Sequence, residues 1–251
     1  TIKSAREIEL MREAGKILAK THEELAKALK PGMTTWDIDH LGEEIIRSYG
    51  CIPSFKNYNG YPASICVSVN DEVVHGIPSR KHFIEEGDIV SLDAGVIYKG
   101  YHSDAARTYG IGEISPEAGR LIEVTKQSFF EGIKFAKAGN HLNDISSAIQ
   151  AYAESFGFGV VRDLVGHGIG SHLHEDPEVP NFAGRRRGLK LRPGMTLAIE
   201  PMINAGTPEV VWLDDDWTVV TEDGALSAHY ENTVLITEGE PELLSLVSEA
   251  H

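Results

Sequence analysis

Gly87-Asp-Ile-Val-Ser-Leu-Asp93 and Gly194-Met-Thr-Leu-Ala-Ile-Glu200 share one pattern: a glycine, a run of mostly apolar residues and a closing carboxylate, at a numbering offset of 107. Working outward, Lys30-Pro-Gly32 with Asp37-Ile38 resembles Lys137-Ala-Gly139 with Asp144-Ile145, and Tyr49-Gly50 resembles Phe156-Gly157, at the same offset of 107. Glu13-Ala-Gly-Lys16 resembles Glu117-Ala-Gly-Arg120 at 104. A recurring offset of this size indicates an internal duplication rather than a solenoid. The expectation is one domain over 1–251, with repeats at roughly 4–110 and 115–237 related by a pseudo-twofold axis. Carboxylates that match between the copies would then face each other across the axis.

Each copy reads as helix, helix, strands. Ser4-Ala-Arg-Glu7 is a capping box ahead of Ile8, Met11, Gly15 and Leu18, a helical stripe that runs to Leu29. A second helix is predicted over 35–49. Strands follow at 63–69, 88–98 and 101–109. In the second copy, Ser115-Pro116 opens a helix ending near Ala138-Gly139, another spans 143–156, and strands follow near 159–164, 195–203, 217–221 and 226–237.

The chemistry starts in the hairpin. With Lys99-Gly100 as its turn, Tyr98 faces Tyr101, Asp93 faces Ala106 and Asp104 faces Gly95. Strand alternation then puts Asp93 and Asp104 on one face, diagonally related, and Val90, Leu92, Ala94 and Val96 on the other. Two like charges about 4 Å apart at an effective dielectric near 20 repel by about 4 kcal/mol. Either one acid stays protonated or a cation lies between them. Glu200 in Thr196-Leu-Ala-Ile-Glu-Pro-Met202 and Glu231 in Ala228-His-Tyr-Glu-Asn-Thr-Val234 are two more acids in apolar strands, costly unless paired or metal-bound. His167, framed as Gly166-His-Gly-Ile-Gly170, can approach such a site closely. Four carboxylates and one imidazole balance two divalent ions, and an oxygen-rich set with one nitrogen suits Mn²⁺, Fe²⁺, Co²⁺ or Zn²⁺. His102 shares the Asp104 face and reads as structural, as do His22, His40, His82, His141, His229 and His251.

Composition narrows the partners. The 251 residues carry 23 Lys and Arg against 38 Asp and Glu, a net charge of −15, which argues against DNA or RNA as the main ligand. Two cysteines, Cys51 and Cys66, make no disulfide framework, and no apolar run is long enough to span a membrane, so a cytoplasmic protein is expected.

The order Asp93, Asp104, His167, Glu200, Glu231, with the His75-Gly-Ile-Pro78, Gly166–Gly170 and Ile199-Glu-Pro-Met202 contexts, resembles methionine aminopeptidases of type I over nearly the whole chain. The resemblance implies an α+β, pita-bread fold: two pseudo-twofold-related halves with a central antiparallel sheet covered by helices. It implies two divalent metal ions, with Asp104 and Glu231 bridging, Asp93 on one and His167 and Glu200 on the other. It also implies removal of N-terminal methionine when the next residue is small, by a hydroxide between the metals. Glu200 would relay protons, His174 would contact the scissile carbonyl and His75 the leaving side. Tyr58, Tyr61, Cys66 and Trp217 would line the methionine pocket. Phe55 and Leu173 stand where the family often has cysteine and phenylalanine. Glu231 follows Glu200 too closely for the large helical insertion of type II enzymes to fit between them. The implied partners are nascent or short polypeptides with N-terminal methionine, the enzyme acting as a monomer without DNA or membrane. Transient ribosome association stays open, since the region that docks some bacterial relatives is acidic here, Asp214-Asp-Asp216. Two rivals are an X-Pro-cleaving relative, expected to carry an extra domain, and a non-catalytic protein on the same fold.

Overall fold

Ser4 starts the first helix by a reciprocal cap: its hydroxyl accepts from the Glu7 N–H, and the Glu7 carboxylate accepts from the Ser4 N–H. In the computed structural model, which describes residues 1–246, helix α1 spans Ala5–Ala28 and α2 spans Thr35–Ser48, capped the same way by Thr34 and Asp37. Residues 247–251, and with them His251 and the end of the expected domain, lie outside the described residues. Strands β1 (Ile52–Pro53), β2 (Ile65–Val69), β3 (Glu72–Val74), β4 (Ile89–Tyr98) and β5 (Tyr101–Gly110) complete the first copy. The second begins with α3 (Pro116–Ile133) and α4 (Leu142–Ser155). Its strands are β6 (Gly159–Val160), β7 (Gly166–Gly168), β8 (Glu175–Val179), β9 (Thr196–Ile199), β10 (Met202–Asn204), β11 (Val210–Trp212), β12 (Val219–Thr221), β13 (Ser227–His229), β14 (Asn232–Leu235) and β15 (Glu242–Leu243).

Every strand pairing among the described residues is antiparallel. The β4–β5 register is the expected one, Asp93 opposite Ala106 and Gly95 opposite Asp104. β1 and β2 pair with β4, β6 and β13 flank β10, and β9 sits between β14 and β7. The β3–β12–β11 sheet ties the first copy to the second. Val90, Leu92, Ala94 and Val96 are fully buried and pack with Leu18 and Leu25 of α1 and Ile38 and Ile46 of α2. Phe129 of α3 and Ile145 and Ile149 of α4 cover Leu197, Ile199 and Val234 in the second copy.

Matching backbone contacts recur in the two halves. The Gly32 N–H donates to the Ile84 carbonyl and the Gly139 N–H to that of Leu191; the Thr35 N–H donates to His82 and the Leu142 N–H to Leu189. Pro53 pairs with Val96 as Val160 pairs with Ile203. Each contact recurs at the offset already seen in the sequence. The copies meet where Ala106 and Glu231 exchange both backbone hydrogen bonds, at 3.4 and 3.0 Å.

Some boundaries differ from the sequence reading. Helix α3 ends at Ile133, not near Gly139, because Gly139 and Asn140 are drawn into pairing with Leu191. The predicted strand 195–203 breaks at Glu200-Pro201, and 226–237 breaks at Tyr230-Glu231. Proline has no N–H to give a ladder, and both breaks release a carboxylate. The strand predicted at 159–164 is only Gly159–Val160, and that at 217–221 is Val219–Thr221.

Candidate metal centre

Asp93 and Asp104 emerge on the face of β4–β5 opposite the core, each within the other's hydrogen-bonding reach. Glu200 and Glu231 come from the two strand breaks. The pairs Ile199–Asn232 and Met202–His229 flank those breaks, so the continued register puts Glu200 opposite Glu231. His167 arrives on β7, with Nε2 3.6 Å from Asp104 Oδ2 and 3.5 Å from Glu200 Oε1. Donor atoms of Asp104, His167 and Glu231 lie within 4.8 Å of one another, as do those of Glu200, His229 and Glu231.

The ring protons can be placed by elimination. The Gly168 carbonyl can only accept, and it lies 2.8 Å from His167 Nδ1, so Nδ1 carries the proton. Burial pushes the His167 pKa down, keeping the ring neutral. Its Nε2 lone pair then points at two carboxylates, an arrangement that calls for a cation or a proton between them. A histidine whose other nitrogen donates to a carbonyl is the usual form of a metal ligand.

The acids point the same way. Asp93 Oδ1, Asp104 Oδ1 and both Glu231 oxygens are buried without partners, and no lysine or arginine among the described residues donates to any of the four carboxylates. Arg107 approaches Glu231 but donates to its backbone carbonyl, to that of Ala106 and to Asn232 Oδ1. Burial raises the pKa of all four acids, and Asp104 adds to the rise at Asp93, Glu200 and Glu231. Orphaned oxygens, an aimed lone pair and an all-oxygen set with one imidazole fit divalent cations of the Mn²⁺ to Zn²⁺ group.

Above the acids opens a cavity of about 260 Å³. All eight residues expected to meet substrate line it: Phe55, Tyr58, Tyr61, Cys66, His75, Leu173, His174 and Trp217. Asp93, Asp104, His167 and Glu200 reach it too, whereas Glu231 lies beneath. Cys66 pairs across β2–β4 with Asp93, so its thiol shares the acid-bearing face. Burial raises that thiol's pKa, leaving a small apolar wall rather than a thiolate. Tyr61 is fixed by donating to the Ile65 or Gly76 carbonyl, each at 3.1 Å, and meets Trp217 edge to face.

The two outer histidines are also held. His174 meets His167 edge to face at 4.2 Å, ring centre to ring centre, and its Nδ1 lies 2.8 Å from the Tyr58 hydroxyl. His75 sits at φ +60°, a left-handed backbone that costs a non-glycine residue about 1–3 kcal/mol and clusters at functional sites. Burial lowers both to about 4, so they are neutral at physiological pH.

Sequence reasoning misses Asn59, Asn181 and His229 as site residues. Asn59 lines the cavity and Asn181 donates to the Glu200 carbonyl at 3.1 Å. His229 stands two positions before Glu231, and that spacing is the signal that could have found it. His102 places its Nδ1 2.9 Å from Ser54 Oγ.

Residues 9–238 match metallopeptidase family M24. Methionine aminopeptidase of Clostridium acetobutylicum is 60% identical and methionine aminopeptidase 1 of Bacillus subtilis 51% identical, each over 98% of this chain and 98% of its own length. The crystal structure of methionine aminopeptidase from Thermotoga maritima shares 48% identity at a TM-score of 0.96, over 98% of this chain and 99% of that one. The Xaa-Pro dipeptidase from Bacillus anthracis shares 26% identity at a TM-score of 0.80, over 99% of this chain but 63% of that one.

Proposed function

The chain belongs to metallopeptidase family M24 and is a hydrolase of that kind, and on that premise we propose that it removes N-terminal methionine from polypeptides whose second residue is small. The observation that carries this reading is the His167 lone pair aimed at Asp104 and Glu200, beside orphaned oxygens of Asp93, Asp104 and Glu231, at the floor of an apolar, aromatic cavity. Asp93, Asp104, His167, Glu200 and Glu231 would hold two divalent cations of the Co, Mn, Fe or Zn group. When bound, those ions supply Lewis acidity and an activated water.

The remaining work falls to the chain's own residues. Phe55, Tyr58, Tyr61, Cys66, Leu173 and Trp217 enclose a flexible thioether, to which polarisable sulfur and aromatic faces are well suited. Asp93, at the Cys66 end, marks where the free amine sits, which restricts cleavage to the first residue. Glu200, raised by burial, takes a proton from water and passes it to the leaving amine. His174 steadies the developing oxyanion, and His75 holds the amide on the leaving side. Nascent and short polypeptides in the cytoplasm are the proposed substrates, met by a monomer; no helix among the described residues is long and apolar enough to cross a membrane.

The test is a peptide panel with the metal-reconstituted enzyme and metal analysis of the purified protein. Release of methionine from Met-Ala-Ser, no release of alanine from Ala-Pro-Ser, and about two ions per chain are expected. Preference for the Ala-Pro peptide would assign the site to X-Pro cleavage instead.

A further inference from the structure

We propose that His229 is a positioning residue for Glu200: its Nε2–H donates to the Glu200 carboxylate and sets which way that carboxylate turns. The inference rests on the proposed function and adds a residue to it.

His229 is fully buried, and neither ring nitrogen has a hydrogen-bond partner. A neutral imidazole has one ring proton to place. Glu200 Oε2 lies 3.4 Å from Nε2, and a Glu231 carboxylate oxygen shares a 4.8 Å cluster with the ring and Glu200. Both acids accept hydrogen bonds and give none when ionised. A proton on Nδ1 would be a buried donor with nothing to meet, whereas a proton on Nε2 faces Glu200. With both acids ionised, as they are when they hold a cation, the tautomer is Nε2–H.

The same reasoning separates His229 from a metal ligand. His167 gives its Nδ1 proton to the Gly168 carbonyl and frees Nε2 for a cation. His229 has no such carbonyl at Nδ1. One imidazole is arranged to accept a metal, the other to donate to an acid.

The backbone holds the ring in place. Thr108 Oγ1 accepts from the His229 N–H and donates to the His229 carbonyl, both at 2.9 Å. Glu200 is fixed at its other end by Asn181, which donates to its carbonyl. Side chain and main chain of Glu200 are thus held from two directions. Hydrogen bonds of this kind outside the ligand shell are worth about 10–100-fold in metal affinity or activity.

The experiment compares wild type, His229→Leu and His229→Gln by calorimetric Mn²⁺ titration and by kcat and KM on Met-Ala-Ser. Leucine keeps the bulk and removes the donor; glutamine restores one. The expected result is a loss of Mn²⁺ affinity of about 10–100-fold in His229→Leu, with a fall in kcat, little change in KM, and substantial recovery of both affinity and kcat in His229→Gln. Unchanged affinity in His229→Leu overturns the inference, and so does a glutamine variant as impaired as the leucine one. If the leucine variant shows no cooperative melting, Thr108→Val decides: it unclamps the His229 backbone and should weaken Mn²⁺ binding, and wild-type affinity there overturns the inference. Wild type that neither binds Mn²⁺ nor releases methionine sinks the proposed function, and this inference with it.

Discussion

Thr108 and Thr233 make the same clamp on opposite sides of the pseudo-twofold. Thr108 Oγ1 accepts from the His229 N–H and donates to the His229 carbonyl; Thr233 Oγ1 accepts from the Asp104 N–H and donates to the Asp104 carbonyl. All four bonds measure 2.9 Å. Each hydroxyl does the work of a strand neighbour where the two hairpins meet.

Replacing either threonine by valine keeps the shape and leaves a buried N–H and C=O unpaired. Thr233→Val should lower the unfolding free energy by about 1–3 kcal/mol, the usual penalty for an orphaned buried group. Urea melts of the metal-free protein measure it. No shift in midpoint would mean that another group takes over the two bonds.

Metal removal should destabilise the fold, with a pH signature. Asp93, Asp104, Glu200 and Glu231 have raised pKa values in the folded state, so the metal-free fold binds more protons than the unfolded chain and loses stability as pH rises through those values. The imidazoles of His22, His75, His102, His167, His174 and His229 are lowered by partial or full desolvation and act oppositely, gaining stability as pH rises towards their ordinary value. Above about pH 7 those histidines are neutral in both states, and the acids remain with the raised Cys51 and Cys66 thiols, which contribute equally to both metal states. As pH rises through about 7, the raised value of Asp104, the chelated protein should melt progressively lower relative to the Mn²⁺-loaded one. Parallel curves would show that the acids share no cation.

Glu200→Gln should cut turnover by about 10²–10⁴-fold, the range for loss of a general base. The same change removes a buried charge, so the metal-free variant should melt higher than metal-free wild type. A rate near normal would remove Glu200 from the proton path.

The left-handed backbone at His75 inverts an ordinary ranking. Glycine normally destabilises relative to alanine, but at φ +60° His75→Gly should be more stable than His75→Ala by about 1–2 kcal/mol. Both variants should lose most of their turnover. Alanine the more stable of the two would show that this backbone relaxes.

Much of the fold is readable because it is local. Lys99-Gly100 sets the hairpin turn, alternation sets the faces, and the observed pairing of Asp93 with Ala106 follows. Caps at Ser4 and Ser115 place two helix starts to the residue. What stays hidden depends on distant partners. Strand β3 pairs with β12 from the far end of the chain, and Glu72-Val-Val74 carries no sign of it. The end of α3 is decided by Leu191, not by the residues that precede Gly139. His229 reads as one more histidine because its burial against Glu200 is set by the fold of both copies.

The meeting of Ala106 with Glu231 has a wider consequence. By register, Asp93, Asp104 and Ala106 on one side answer to Glu200, His229 and Glu231 on the other. Two identical subunits could not differ this way, since any ligand gained at one edge would appear at both. Within one polypeptide the scaffold stays twinned while its chemistry is lopsided, with Asp93, Asp104 and Glu200 open to the cavity and Glu231 sealed beneath it.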